Sequence, residues 1–110
     1  QGGCPIIEHQ NVKTRIFGMF QKLEVARSHV RRVAIADATL PGGVPFQYAA
    51  SAKVFATQTA FEVAHDAIQV LGGKGLTHEY LAEKLFRDAR SSLIEDGENG
   101  MLGLMAASRL

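Results

Sequence analysis

Between about Ile7 and Ala38 the apolar residues Val12, Ile16, Met19, Leu23, Ala26, Val30 and Val33 recur at alternating steps of four and three. That spacing draws a single stripe along a helix, of the kind that forms the seam of bundles and coiled coils. About 30 residues rising 1.5 Å each predict a rod of roughly 45 Å. The other face carries Lys13, Arg15, Lys22, Arg27, Arg31 and Arg32 and reads as a solvated surface. The turn Pro41-Gly42-Gly43-Val44 follows, with Pro41 stopping the first helix and Pro45 suited to the first turn of the next.

From Pro45 to Leu71 only Lys53, Glu62 and Asp66 are charged. Alanine occupies 49, 50, 52, 56, 60, 64 and 67, while Phe46, Phe55, Phe61, Ile68 and Leu71 supply bulk. A helix with so little polar surface demands cover on several sides, more than three short neighbours provide, and so points to partners beyond this chain. A third helix is expected from about Tyr80 to Ile94, with Thr77 capping it and Glu79 near the positive end of its dipole. Leu81, Leu85, Ala89 and Leu93 would form its inner stripe, and Glu83–Arg87 and Lys84–Asp88 its outer i,i+4 pairs. An acidic turn, Glu95-Asp96-Gly97-Glu98, leads to a short helix from about Asn99. No segment alternates with period two, so the expected fold is all-α, an antiparallel four-helix bundle.

Composition changes this picture little. The 110 residues form one domain, long enough to bury a core, with 46% hydrophobic and 21% charged residues. A net charge of +1 gives no reason to expect nucleic acid or an anionic membrane as a partner. No apolar run approaches the roughly 18 residues of a membrane span. Cys4 is the sole cysteine, which excludes an internal disulfide and fits a reducing compartment. The opening Gln-Gly-Gly-Cys-Pro lacks the features of a targeting signal and reads as the start of a piece of something longer.

Three stretches carry candidate chemistry. In Leu71-Gly72-Gly73-Lys74-Gly75, Gly72 suits the C′ position that ends a helix in the left-handed region. Gly72, Gly73 and Gly75 together also let backbone amides approach a ligand such as a phosphate. A helix rather than a strand precedes them, so this is no dinucleotide fingerprint. Glu62 and His65 form E-x-x-H, half of a di-iron motif whose second half is absent, and His65 reads as a surface or capping residue. His9, His29 and His78 have no metal-ligand spacing, and Cys4 has no evident activating neighbour. In Ile94-Glu95-Asp96-Gly97-Glu98 the readings are a solvated connection, with Asp96 capping the last helix, or a carboxylate presented as a general base.

Read together, three of these stretches resemble the C-terminal helical domain of the acyl-CoA dehydrogenases. They are Glu8-His9-Gln10 opening a helix that continues to KLEVAR (22–27), AIQVLGGKG (67–75), similar to A-x-Q-x-x-G-G-x-G, and EKLFRDAR (83–90), similar to E-[RK]-x-x-R-D-A-[RK]. The resemblance covers essentially the whole chain. It implies that residues 1–110 are the last of three domains, behind a helical domain and a β-domain, in subunits that assemble as a homodimer or homotetramer. It further implies FAD as cofactor, acyl-CoA as substrate, electron-transfer flavoprotein as electron acceptor, and a bacterial cytoplasmic or mitochondrial matrix location. In the family a carboxylate removes the α-proton of an acyl-CoA while the β-hydrogen leaves as hydride. By resemblance Gln10 contacts FAD, Gln69 and the Gly72–Gly73 backbone meet the FAD of a neighbouring subunit, and Arg87, Asp88 and Arg90 form ion pairs that fix the bundle.

The departures are local. Where most of the family has Tyr-Glu-Gly-Thr this chain has Glu95-Asp96-Gly97-Glu98, so Asp96 takes the base position one methylene short, a displacement of roughly 1.5 Å. Its amide takes the position that polarises the thioester carbonyl. Glu98 and Gly100 are not carried over as flavin ligands, and Leu81 stands where proline is usual. The alternatives are a flavin monooxygenase or other relative on the same fold, and a non-catalytic bundle. On the main reading the chain alone is inactive, because the middle domain is absent from it.

Overall fold

A computed structural model describes every residue from Gln1 to Leu110. A 3-10 turn at Ile6–Glu8 leads into α1 (Gln10–Thr39), followed by α2 (Phe46–Leu71), a second 3-10 turn (Gly72–Leu76), α3 (Ala82–Ser92) and α4 (Asn99–Ala107). The four-helix, all-α architecture is the expected one. Leu40 ends α1 in the extended conformation that a following proline imposes, and Pro45 stands at the N-cap of α2, one residue outside the expected position.

α1 and α2 run antiparallel along their whole length. Arg15 faces Asp66, Lys22 faces Glu62, His29 faces Ser51 and Arg32 lies over the Tyr48 ring, so the pairing retreats along one helix as it advances along the other. Extending this register brings Gln10 level with the last turn of α2. α3 covers the C-terminal half of α2, with Phe86 beside Phe61 and His65. α4 covers the N-terminal half, where Asn99 bonds Thr57 and Arg109 stacks on Phe46. α3 and α4 thus act in series as one interrupted rod antiparallel to α2, and neither approaches α1.

The result is a layer of three rods measuring 59 × 23 × 21 Å, with α2 in the middle. Small residues make the contact: Ala26 and Val33 of α1, Ala50, Ala52 and Ala64 of α2, and Ala82 of α3 are buried. The expected core is nevertheless almost absent. Only eight of 110 residues are buried and no large side chain is fully so, because three rods in a layer leave every outer face open. Two grooves run along α2, one of 910 Å³ between α1 and α3 and one of 780 Å³ between α1 and α4. Demand for cover therefore extends beyond α2 to the whole layer.

Two further expectations change. α3 begins at Ala82, and Thr77 does not cap it: its hydroxyl donates to the Lys74 carbonyl and accepts from Glu79 N–H, closing the turn before the helix. The expected inner stripe of α3 is displaced, since Leu81 is 63% exposed and Ala82 carries the buried contact. The cationic face of α1 is only partly solvated, because Arg15 and Lys22 reach across to the carboxylates of α2. At this exposure each such pair contributes up to about 1 kcal/mol.

Gly75 is the buried residue of the glycine turn, and a Cβ there would come within 2.9 Å of the Ile68 Cα and carbonyl oxygen. Gly73 has open space instead. Gly75→Ala is expected to destabilise the domain by on the order of 1–3 kcal/mol, as overpacking does, and Gly73→Ala to leave thermal unfolding near the parent's. Helical circular dichroism during a melt checks both.

Candidate acidic-turn and glycine-turn sites

The end of α3 loosens into short-range bonds, Ile94 N–H to Ser91 O at 2.8 Å and Leu93 N–H to Arg90 O at 3.4 Å. The chain then turns through Asp96 (φ 53°) and Gly97 (φ 104°) before continuing into α4. Asp96 is the only non-glycine residue with a positive φ, a conformation that costs free energy and persists where the surroundings determine it. Gly97 is required twice over, by its φ and because a Cβ would stand 3.0 Å from Leu102 Cδ2.

Three carboxylates in this turn are separated by giving each a different surrounding. Glu95 turns back and accepts the Ser91 hydroxyl. Glu98 turns forward as the N-cap of α4, accepting Met101 N–H at 2.9 Å. The amides of Gly100 and Met101 hold its carboxyl below the ordinary value of 4.5, and Gly100 leaves room for it, since a Cβ there would lie 3.0 Å from Glu98 Oε2. The helix cap is therefore Glu98, not Asp96. The exposed Asp96 carboxylate has no hydrogen-bond or ion-pair partner in the chain, and its N–H has no acceptor.

Lys53, in the N-terminal third of α2, straps the turn down. Its ammonium donates to Gly97 O at 2.7 Å and to Asn99 Oδ1 at 2.8 Å. Asn99 in turn donates through Nδ2 to Thr57 Oγ1 at 2.9 Å, and Thr57 donates to the Lys53 carbonyl. Sequence reading placed Lys53 only among the charges of α2. The available signal was its isolation, because it is the single charged residue between Phe46 and Phe61.

The glycine turn lies elsewhere. Gly72 ends α2 at φ 62°, ψ −146°, outside the left-handed helical region and open in practice to glycine alone. A Cβ at Gly72 or Gly73 would meet nothing within 4 Å, so this backbone is approachable from outside. Gln69 is exposed on the last turn of α2, and Gln10, the first residue of α1, is exposed at the same end of the layer. Lys53 and Gly72 are 19 residues apart on α2, about 28 Å at 1.5 Å per residue. Gln69, Gly72 and Gly73 thus follow one another at the end of α2, and Gln10 lies at the same end of the layer without contacting the glycine turn, while Asp96 is far from all four.

Other candidates have local duties. Glu62 bonds Lys22 at 2.9 Å and Gln58 at 3.2 Å, and the Lys22 ammonium is the larger cause of its lowered pKa. His65 lies beside the Phe86 ring. Arg87 pairs with Glu83 and Asp88 with Lys84, all on α3, so these ions brace one helix rather than tie helices together. The cross-helix pairs are those of Arg15 and Lys22. Cys4 does have a neighbour: the His9 ring nitrogen lies 3.6 Å from its sulfur. No cluster of three His, Cys, Asp or Glu side chains is arranged to hold a metal, and no helix is long and apolar enough to cross a membrane.

This arrangement defines an all-α helical domain with an exposed turn at each of two stations. The family described as acyl-CoA dehydrogenase, C-terminal domain, matches residues 1–110. Cyclohexane-1-carbonyl-CoA dehydrogenase of Geobacter metallireducens is 35% identical over 98% of the chain and 28% of its own length. Short-chain specific acyl-CoA dehydrogenase, mitochondrial, of Rattus norvegicus is 35% identical over 98% of the chain and 26% of its own length. 3-Sulfinopropanoyl-CoA desulfinase of Advenella mimigardefordensis is 34% identical over the whole chain and 27% of its own length. The chain belongs to the acyl-CoA dehydrogenase family, as a C-terminal helical domain, and spans about a quarter of the length of these relatives.

The carboxylate surroundings set an acid limb for stability. Glu62 and Glu98 have folded pKa values below their ordinary 4.5, so their contribution is complete above 4.5 and disappears as pH falls through the folded values. The urea midpoint is expected to drop between neutrality and about pH 3, and by less in Glu98→Gln, which lacks one of the three carboxylates with a lowered value, Glu83 beside Arg87 being the third.

Proposed function

We propose that the chain is the last domain of a three-domain, FAD-dependent acyl-CoA dehydrogenase in which Asp96 is the general base. The observation that carries this reading is the state of Asp96. It is held in a strained backbone conformation, exposed, with carboxylate and amide both uncommitted, while Glu95 and Glu98 beside it are engaged. Strain of this kind is characteristic of functional turns.

The Asp96 carboxylate accepts the α-proton of the thioester, and its free N–H donates to the thioester carbonyl oxygen, where negative charge grows as that proton leaves. FAD, when bound, supplies the acceptor for the β-hydrogen, which departs as hydride and leaves the enoyl thioester. The residues at the far end fit such a group, since Gly72 and Gly73 leave their backbone open, Gln69 is exposed on the turn of helix before them, and Gln10 is exposed at the same end of the layer. Their separation from Asp96 supports two different flavins: Asp96 serves its own subunit, and the glycine turn holds the FAD of a neighbour. That arrangement requires a homodimer or homotetramer. Electrons pass on to electron-transfer flavoprotein, in the bacterial cytoplasm or the mitochondrial matrix.

The unusual Glu95-Asp96-Gly97-Glu98 turn, together with a relative named as a desulfinase, favours one second reading, a family member with other flavin chemistry. The deciding experiment uses the full-length flavoprotein without oxygen and a panel of butyryl-, octanoyl- and cyclohexanecarbonyl-CoA. Bleaching of the yellow flavin is expected, and Asp96→Asn is expected to slow it by roughly 10²–10⁴-fold with FAD retained. A flavin that none of the thioesters bleaches, but which consumes oxygen with a substrate, would establish the second reading. Gly73→Ala is expected to lower FAD content in the same protein. The 110-residue chain on its own is expected to turn over none of these thioesters.

A further inference from the structure

We propose that Lys53 is a positioning residue for this reaction: it holds the 94–98 turn in the backbone conformation that presents Asp96. The inference rests on the reading of Asp96 as the base. Nothing in α2 itself requires a charge at this position. Lys53 stands alone among uncharged residues from Phe46 to Phe61, on a helix that otherwise offers alanine and aromatic surface to its neighbours.

An ammonium group has three N–H donors, and two of those on Lys53 are spent on the turn, at 2.7 Å to Gly97 O and 2.8 Å to Asn99 Oδ1. The first bond fixes the orientation of the peptide plane immediately after Asp96 and Gly97, the two residues with left-handed φ. The second fixes Asn99, whose N–H also closes onto Leu93 O at 3.0 Å across the base of the turn. Asn99 is held in turn by Thr57, and Thr57 by the carbonyl of Lys53, so the strap returns to the helical turn from which it started. Lys53, Thr57 and Asn99 are all half-buried, and the bonds among them are partly buried, whereas the bond to Gly97 O is exposed.

Without the ammonium, Gly97 O loses its only donor and the turn is free to relax out of the left-handed conformation. The carboxylate would remain present but displaced from the proton it must take. A misplacement of about 1 Å lowers rates by up to about 10²-fold. The signature of such a role is a slower chemical step with substrate and cofactor binding preserved.

The test uses the full-length flavoprotein and whichever of butyryl-, octanoyl- or cyclohexanecarbonyl-CoA bleaches the parent fastest. In Lys53→Met the limiting rate of anaerobic flavin reduction is expected to fall about 10–100-fold, with FAD content and the half-saturating thioester concentration unchanged. In the Asp96→Asn background the same substitution is expected to cost less than in the parent, because Lys53 acts through residue 96 and only the part that runs through its amide remains. An unchanged limiting rate in Lys53→Met, or an equal further loss in Asp96→Asn, would overturn the proposal. Where Lys53→Met fails to retain flavin, Thr57→Val carries the test. It keeps every charge and removes only the hydroxyl that holds Asn99; a smaller loss with the same split is expected, and the parent rate would overturn the proposal. The two readings part cleanly: parent-like reduction in Asp96→Asn removes the base assignment, whereas a slow Asp96→Asn beside a parent-like Lys53→Met removes only the positioning role.

Discussion

The rest of the structure depends on the close approach that alanine permits around α2. Ala50, Ala52 and Ala64 are buried on that helix, as are Ala26 and Val33 on α1 and Ala82 on α3. With methyl groups at the contact, helix axes come close and dispersion is gained over the backbone itself rather than over large side chains. The same choice limits what the domain achieves alone. Alanine contacts remove little apolar area from water, and with α1, α2 and the α3–α4 rod arranged as a layer, bulky residues such as Phe17, Ile35 and Leu104 remain exposed. The chain spans about a quarter of the length of the relatives it matches.

That layer positions two turns. α3 and α4 share one long side of α2, so the turn between them lies along that side, within reach of Lys53. The glycine turn, in contrast, lies at the tip, where α2 ends and α1 begins. The length of α2 between them, about 28 Å, makes the two turns independent stations within one chain. On the proposed reading that length is what lets a single rod complete a site in its own subunit and touch the cofactor of another.

The acidic turn illustrates how folding resolves a conflict visible in the sequence. Three carboxylates within four residues repel one another if they share a surface. Hydrogen bonds send Glu95 back to α3 and Glu98 forward to the amides of α4, and the left-handed backbone at residue 96 leaves Asp96 alone in solvent. Departures from the family pattern at 95 and 98 thus have local explanations: Glu95 and Glu98 are a helix-end partner and a helix cap.

Helix number, the length of α1, the turn at Pro41 and the i,i+4 pairs of α3 were determined by the sequence alone, because each depends on periodicity, on proline geometry or on residues within one turn of each other. The family is also legible there, since its motifs are contiguous stretches. The start of α3 was not, because Thr77 has two local ways to bond and the turn won. Of the two readings of Asp96, as cap or as base, the structure gives the cap to Glu98 instead: both carboxylates flank α4, and only the backbone path decides which one meets its amides. The Cys4–His9 pair, the cross-helix duties of Arg15 and Lys22, the difference between a packed Gly75 and an open Gly73, and the strap from Lys53 to Gly97 all belong to the tertiary structure. Each joins groups through the relative placement of chain segments that local propensity leaves open, and the packing of α2 supplies that placement.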